Sequence, residues 1–344
     1  MDFDFHYYGT LSAAKFAGYD VDEARQIAIA AQFVDEFTYR NFNGKLTAPN
    51  YTAYDFDWRG YIDQGTSFDS TLAKIWVPFH FLPRCIKDKN ITIDSKGYIA
   101  KDDIADDDLK YMAQPRGELY NMVYGLEDVA VNDYMAIGLK MHVLADAFSH
   151  QGFVGYRKLG INCLESKIID EGQEKVISNF MLLFCAIGHA DSGHYPDFGY
   201  AEYEYKPYWE KNNTAVERCN PEIFADAYIS MVKSMNMLRN RDVESGLDVI
   251  IADGALNTRR NAVLQMLKNR PSCGEFQEVE WLNFLRTEDG IDEGRQDVDD
   301  QSMIGINKKS ILEFFDGVNN TCLTQFNNAA KAHYDMVNNA IAQV

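Results

Sequence analysis

Residues 128–150 read DVAVNDYMAIGLKMHVLADAFSH and form the most apolar long stretch of the chain. Met135, Leu139, His142, Asp146 and His150 recur there at steps of three and four, the period of an α-helix. His142, Asp146 and His150 stand at i, i+4 and i+8, so imidazole, carboxylate and imidazole follow one another along one helix face, about 6 Å apart per step. The residues around them (Met135, Ile137, Leu139, Val143, Leu144) are apolar, so that face is expected to be buried. Buried polar groups without partners cost on the order of 1–3 kcal/mol each. Metal ions would supply the partners directly; the plainer alternative is a core histidine bonded to a neighbouring carboxylate.

Outward from this stretch the pattern stays helical. Residues 22–40 place Ala24, Ile27, Ala28, Ala31, Val34 and Phe37 on one stripe, with Asp22 as N-cap. Helices are also predicted over 165–187, 221–240, 242–268 and 308–342. Residues 41–64 read as a long loop, 91–99 as a short hairpin around Ser95-Lys96-Gly97, 102–108 as an acidic turn and 288–300 as an acidic loop. The expectation is an all-α multi-helix bundle with long irregular loops. It is read as a single domain over 1–344, with the helices after 221 packing on the same core.

Composition narrows the function. The chain has 344 residues, with 33 Lys and Arg against 52 Asp and Glu, for a net charge of -19. Hydrophobic content of 46% excludes a disordered chain. The negative balance disfavours a nucleic-acid coat or an electrostatic membrane binder. No apolar run reaches the roughly 18 residues of a membrane span, and no secretory signal opens the chain. Cys85, Cys163, Cys185, Cys219, Cys273 and Cys322 form no CxxC pair and read as thiols of a reducing compartment. The expected location is therefore the cytoplasm, or outside the cell by a route that needs no signal peptide.

A second cluster, Gly188-His189-Ala-Asp191-Ser-Gly193-His194-Tyr-Pro-Asp197, joins metal-ligand side chains to helix-breaking glycines and a proline. Its plainer reading is a solvated turn. His6 lies in DFDFH, where an extended chain would put Asp2, Asp4 and His6 on one side. His80 sits alone inside the apolar WVPFHFLP, and Asp35 follows Phe33 and Val34 on the apolar side of its helix. His333 reads as a surface residue.

Taken in order, these residues resemble the zinc-dependent phospholipase C and S1/P1 nuclease superfamily. They also resemble a bacterial and fungal branch with DFHYY, PFHFLP and GHxxxGHxPD motifs. The resemblance covers residues 1 to about 200. It implies an all-α enzyme holding two to three zinc ions, with Asp146 bridging two of them. His142, His80 and Asp35 would complete one site; His6 with Met1 or Asp4 the second; His150, His189 or His194, and Asp197 the third. Asp35 would also serve as base toward the attacking water. The spacing departs from the family's: His150 follows Asp146 by four residues instead of six, and Asp197 follows His194 by three instead of four. The implied activity is hydrolysis of a phospholipid or other phosphodiester. The aromatic stretches 51–61 and 200–209 would line its cleft. A nuclease of the same superfamily and a metal-stabilised toxin or binding protein are the alternatives. Arg259-Arg260 and 239–241 are only short basic pairs, and no oligomeric state is implied.

Overall fold

The computed structural model describes residues 1–54, 71–84, 92–93, 99–100, 111–164, 168–175, 188–207, 215–241, 251–271, 276–293, 306–317 and 320–343. In these residues the chain is mainly helical with a small antiparallel sheet. A π-helical segment, Asp4–Gly9, runs into α1 (Thr10–Phe16), followed by α2 (Val21–Glu36), α3 (Tyr39–Phe42) and α4 (Thr71–Phe79). Next come a short pair, β1 (Thr92–Ile93) and β2 (Ile99–Ala100), then α5 (Glu118–Gly125), α6 (Tyr134–Ser149) and α7 (Leu159–Asn162). The four-stranded sheet is built from β3 (Ile168–Asp170), β4 (Gln173–Lys175), β5 (Glu202–Tyr205) and β6 (Val216–Cys219) in the order β4-β3-β5-β6. The chain closes with α8 (Asn220–Arg239), α9 (Asp253–Leu267), α10 (Glu278–Phe284) and its π-helical extension Leu285–Asp289, α11 (Lys308–Gly317) and α12 (Asn320–Ala342).

Capping chemistry sets the helix starts. Asp20, not Asp22, caps α2: its carboxylate accepts the Glu23 N–H while the Glu23 side chain accepts the Asp20 N–H, a closed capping box. The helix stops at Glu36 and not at residue 40, because Phe37 turns away and Thr38 caps a new short helix. Asp133 caps α6 through the Ala136 N–H. Residues 135–149 of α6 are all buried, as befits a helix apolar on every side. Gly138 lets α2 come close: a Cβ there would stand 2.3 Å from the Ile27 carbonyl oxygen and 2.6 Å from the Ala30 Cβ. Side chains of α8 to α12, including Phe224, Leu267, Phe315 and Phe326, join the same apolar cluster as α1, α2 and α6.

The sheet is the main departure from the all-α expectation. Residues 168–175, expected in a helix over 165–187, form the β3–β4 hairpin; 165–167 and 176–187 lie outside the described residues. Glu171 (φ 52°) and Gly172 (φ 72°) make its two-residue turn, a left-handed pair that matches the twist of antiparallel strands. In β5, Tyr203 and Tyr205 are buried while Glu202 and Glu204 are not. The period there is two, so 202–205 is a strand, and the cavity that it borders, with Arg218 and Arg270, is not the one beside Asp35 and His80. The β1–β2 pairing, Thr92 with Ala100 and Ile93 with Ile99, agrees with the hairpin expected over 91–99, whose turn residues lie outside the described set. Residues 308–342 hold two helices, Lys308–Gly317 and Asn320–Ala342, and the described part of 242–268 is helical from Asp253. Residues 55–61, 102–108, 208–209, 242–250 and 294–300, with Cys85, Cys185 and Cys273, also lie outside the described residues. Cys163, Cys219 and Cys322 form no disulfide. No described helix is long and apolar enough to cross a membrane.

His333 is not a surface residue. It is fully buried on α12, with Nε2 donating to the Pro78 carbonyl at 2.7 Å and Nδ1 without a partner. Burial first, then nearby Lys140, push its imidazole down to about 3. The folded value lies below the unfolded one, so the unfolded chain takes up the proton first as pH falls. Stability is intact above about pH 6.5 and is lost progressively toward pH 3. His333→Gln keeps a donor for Pro78 and removes this titration. Its melting temperature is expected to fall less than the wild type's between pH 7 and 4; parallel curves would refute the assignment.

Candidate metal centre

Helix α6 carries the centre. Asp146 is buried, and its two carboxylate oxygens face two different sets of groups. Oδ1 stands 2.6 Å from the Met1 amine and 3.1 Å from His6 Nε2. Oδ2 stands 3.1 Å from His80 Nδ1 and 3.2 Å from His142 Nε2. Asp35 Oδ1 lies 3.8 Å from both of those ring nitrogens, and Gln32 holds its other oxygen at 3.3 Å. Asp197 repeats the pattern, with His150 Nε2 2.9 Å from Oδ1 and His189 Nε2 3.2 Å from Oδ2. Met1's amine also reaches Asp197 Oδ1 at 3.2 Å and Ser149 Oγ at 3.2 Å, joining the two halves.

The tautomers are fixed by backbone carbonyls, which only accept. His80 Nε2 donates to Thr52 at 2.9 Å, His150 Nδ1 to the His80 carbonyl at 2.7 Å, and His189 Nδ1 to Gly193 at 2.8 Å. In the neutral ring each then turns its lone-pair nitrogen toward a carboxylate. Lone pair against carboxylate is repulsive unless a proton or cation lies between. His6 is buried and stacked on His142 at 3.8 Å, and neither of its ring nitrogens has a hydrogen-bond partner. His142 Nδ1 and Asp2 Oδ2 are likewise buried and unpartnered.

Charge follows burial and neighbours. Burial pushes His6 down to about 4, helped by His142, and pushes His189 down to about 4 against the pull of Asp197. Both are neutral near pH 7, the form that binds metals. Burial alone would raise Asp146 and Asp197. The Met1 amine and the facing histidines outweigh it and hold both well below the usual carboxylate range. Burial would likewise lower the Met1 amine, but Asp146 and Asp197 push it up to about 11. Burial also lowers His80, yet its bond to Asp146 leaves it raised. Burial and the nearby Asp197 raise Asp2 to about 9.

Four sets of side chains bring one ligand atom each within 4.8 Å of one another: His6, Asp35 and His142; His80, His142 and Asp146; His150, His189 and Asp197; and Asp2, His194 and Asp197. His189 and His194 thus both stand at Asp197, in different sets. Asp4 is in none of them. The N-terminal segment is helical, not extended, so Asp2 shares a face with His6 at i+4, and Asp4 points elsewhere. Its Oδ2 accepts the Gln277 N–H at 2.8 Å, and burial raises its carboxyl to about 6. Asp191 accepts the Leu164 N–H and stays outside the centre. The Met1 amine, Asp2 and Ser149 complete the surroundings. The signal for Asp2 is in the sequence, since the extended reading also places it on the side of His6.

The centre opens into a cavity of about 370 Å³, whose lining includes Asp35, His80, His189, His194 and Asp197 beside Tyr54, Trp76 and Phe81, and among the described residues includes no Lys or Arg.

Strand β6 steadies the ligand helix. Arg218 is buried and donates to the carbonyls of Ser149 at 2.9 Å, Gln151 at 3.2 Å and Phe148 at 3.4 Å. A cation at a helix C-terminus is favoured by the helix dipole, and here it also satisfies carbonyls that the helix leaves open. Arg218→Met is expected to cost about 2–3 kcal/mol and to weaken metal binding at His150. Denaturant unfolding and metal titration would show this; unchanged metal affinity would confine Arg218 to stability.

Residues 1–341 of the 344 match one family model, described as a family of unknown function (DUF6765). The chain belongs to that family. No curated protein and no solved structure matches it.

Proposed function

We propose that the chain is a metal-dependent phosphoesterase of the phospholipase C kind, hydrolysing a phosphodiester. The observation that carries this reading is the trio His80, His150 and His189, each donating one N–H to a backbone carbonyl and turning the other nitrogen to a carboxylate. Outer bonds of this kind orient metal-ligating histidines and fix their tautomers. The donor set of imidazole and carboxylate suits zinc and related divalent ions. Two to three ions would be held by His80, His142, Asp35 and Asp146, by His6 with Asp146, and by His150, His189 and Asp197. Bound there, they supply Lewis acidity and neutralise charge on attacking and leaving oxygens.

The protein's own groups do the rest. Asp35 lines the cavity and is partly open to solvent, which suits it to accept a proton from an attacking water. Tyr54, Trp76 and Phe81 give the cavity an aromatic wall against which an apolar part of a substrate can pack. Among the described residues that lining holds carboxylates and imidazoles and no Lys or Arg, which favours a substrate with one phosphodiester over a polyanionic nucleic acid. Arg259 and Arg260 do not supply a basic groove either: Asp289 holds the first, Asp226 and Glu222 the second.

The test is metal content of untagged protein, prepared without chelator, beside His142→Ala, followed by assays on phosphatidylcholine vesicles and a chromogenic phosphodiester. Two to three zinc-class ions per chain, largely lost in the variant, with hydrolysis that follows metal content, is the expected result. A metal content near zero that added zinc does not restore would sink the reading. Full metal content with no hydrolysis would leave a metal-stabilised binding protein.

A further inference from the structure

Asp197 has two histidine neighbours, and the second calls for an explanation of its own. His150 and His189 face its carboxylate from within, while His194 is exposed at the cavity's edge. His194 and Asp197 are held in one turn, the His194 carbonyl accepting the Asp197 N–H at 2.9 Å and the Phe198 N–H at 3.2 Å. The His194 ring stacks on Phe198 at 6.0 Å. Asp2 comes from the far end of the sequence. Its carbonyl accepts the N–H groups of Phe5 at 3.1 Å and His6 at 3.0 Å, so its position is tied to the helix that carries His6. Its Oδ2 is buried with no hydrogen-bond partner. Ligand atoms of Asp2, His194 and Asp197 lie within 4.8 Å of one another. Two carboxylates this close repel unless a cation or proton lies between them; the Met1 amine, 3.2 Å from Asp197 Oδ1, answers this for Asp197 but leaves Asp2 Oδ2 without a partner.

We infer that Asp2, His194 and Asp197 form an additional divalent-cation site at the mouth of the cavity, sharing Asp197 with the inner site of His150 and His189. The inference rests on the reading of the inner residues as a metal centre. Its donors are two carboxylates and one imidazole, harder on average than the imidazole-rich inner sets, so it accepts manganese or magnesium as well as zinc. An exposed ligand leaves coordination positions open to water, so the ion exchanges readily. It places positive charge where a phosphate enters, in a cavity whose described lining carries no Lys or Arg.

The experiment is a titration of chelator-stripped whole protein with Zn²⁺ and with Mn²⁺, read by calorimetry and by metal content after desalting. Wild type is compared with Asp2→Asn and His194→Gln. His194→Gln changes an exposed side chain and guards against misfolding, which circular dichroism checks. The expected result is one weakest-binding ion in the wild type, lost on desalting, and weakened at least about tenfold in both variants while the tighter ions remain. Wild type with tight ions whose weakest class is unchanged in both variants overturns this site alone. Wild type that binds no ion overturns the metal centre, and this site with it.

Discussion

Asp146→Asn is expected to destabilise the protein by on the order of 3–5 kcal/mol and, with the proposed metal centre, to remove most of the metal held there. The substitution is isosteric, so its effect is one of charge. Asp146 is buried and faces the Met1 amine at 2.6 Å, with His6, His80 and His142 within 3.2 Å. Removing its charge leaves the amine, which its neighbours keep protonated, buried beside one remaining carboxylate. Breaking a buried pair from one side costs this much because the other charge stays desolvated. Metal content falls as well, since both oxygens of Asp146 serve: Oδ1 toward His6, Oδ2 toward His80 and His142. Denaturant unfolding with and without chelator separates the two losses. A variant with wild-type metal content and a stability change under about 1 kcal/mol would contradict the bridging role.

Gly138→Ala carries the second large effect, and it lies outside the centre. Alanine usually stabilises a helix by about 1 kcal/mol relative to glycine. Here its Cβ would fall 2.3 Å from the Ile27 carbonyl oxygen, 2.6 Å from the Ala30 Cβ and 2.8 Å from the Ala31 nitrogen, mostly backbone that cannot swing aside. Helices α2 and α6 would have to separate. The expected cost is about 3 kcal/mol or more, with weaker metal binding, since α2 brings Asp35 and α6 brings His142 and Asp146. Gly254→Ala in α9 is the control: nothing lies within 4 Å of its Cβ, so it should be neutral or stabilising. Equal stabilities for the two variants would show that the helices can move apart at little cost.

The ligand helix was legible because its signal is local. The four-residue spacing of His142, Asp146 and His150 is a property of one segment, and α6 presents the first two as the period requires, with His150 at its C-cap. The Gly-interrupted run 188–197 announced a turn, and it is one. The extended reading of DFDFH failed because short segments next to a large core take their conformation from it. Packing of Phe5, Tyr7 and Tyr8 into the core makes the segment helical, which turns Asp4 away toward Gln277 and leaves Asp2 at the centre. The sheet was missed for a related reason. Residues 168–175 carry apolar positions too few to separate a period of two from one of 3.6, and strand pairing decided between them.

Local pattern alone pointed to a mainly helical chain and to the candidates His6, Asp35, His80, His142, Asp146, His150, His189, His194 and Asp197, with Asp4 mistakenly among them. Residue type and spacing carry that much. Long-range packing had to settle which nitrogen of each histidine faces inward, that Asp197 meets both His189 and His194, and that Arg218 holds the end of α6. Those choices depend on carbonyls of residues far along the chain, such as Thr52 for His80 and Ser149 for Arg218. Packing sets such distances, and no local pattern encodes them.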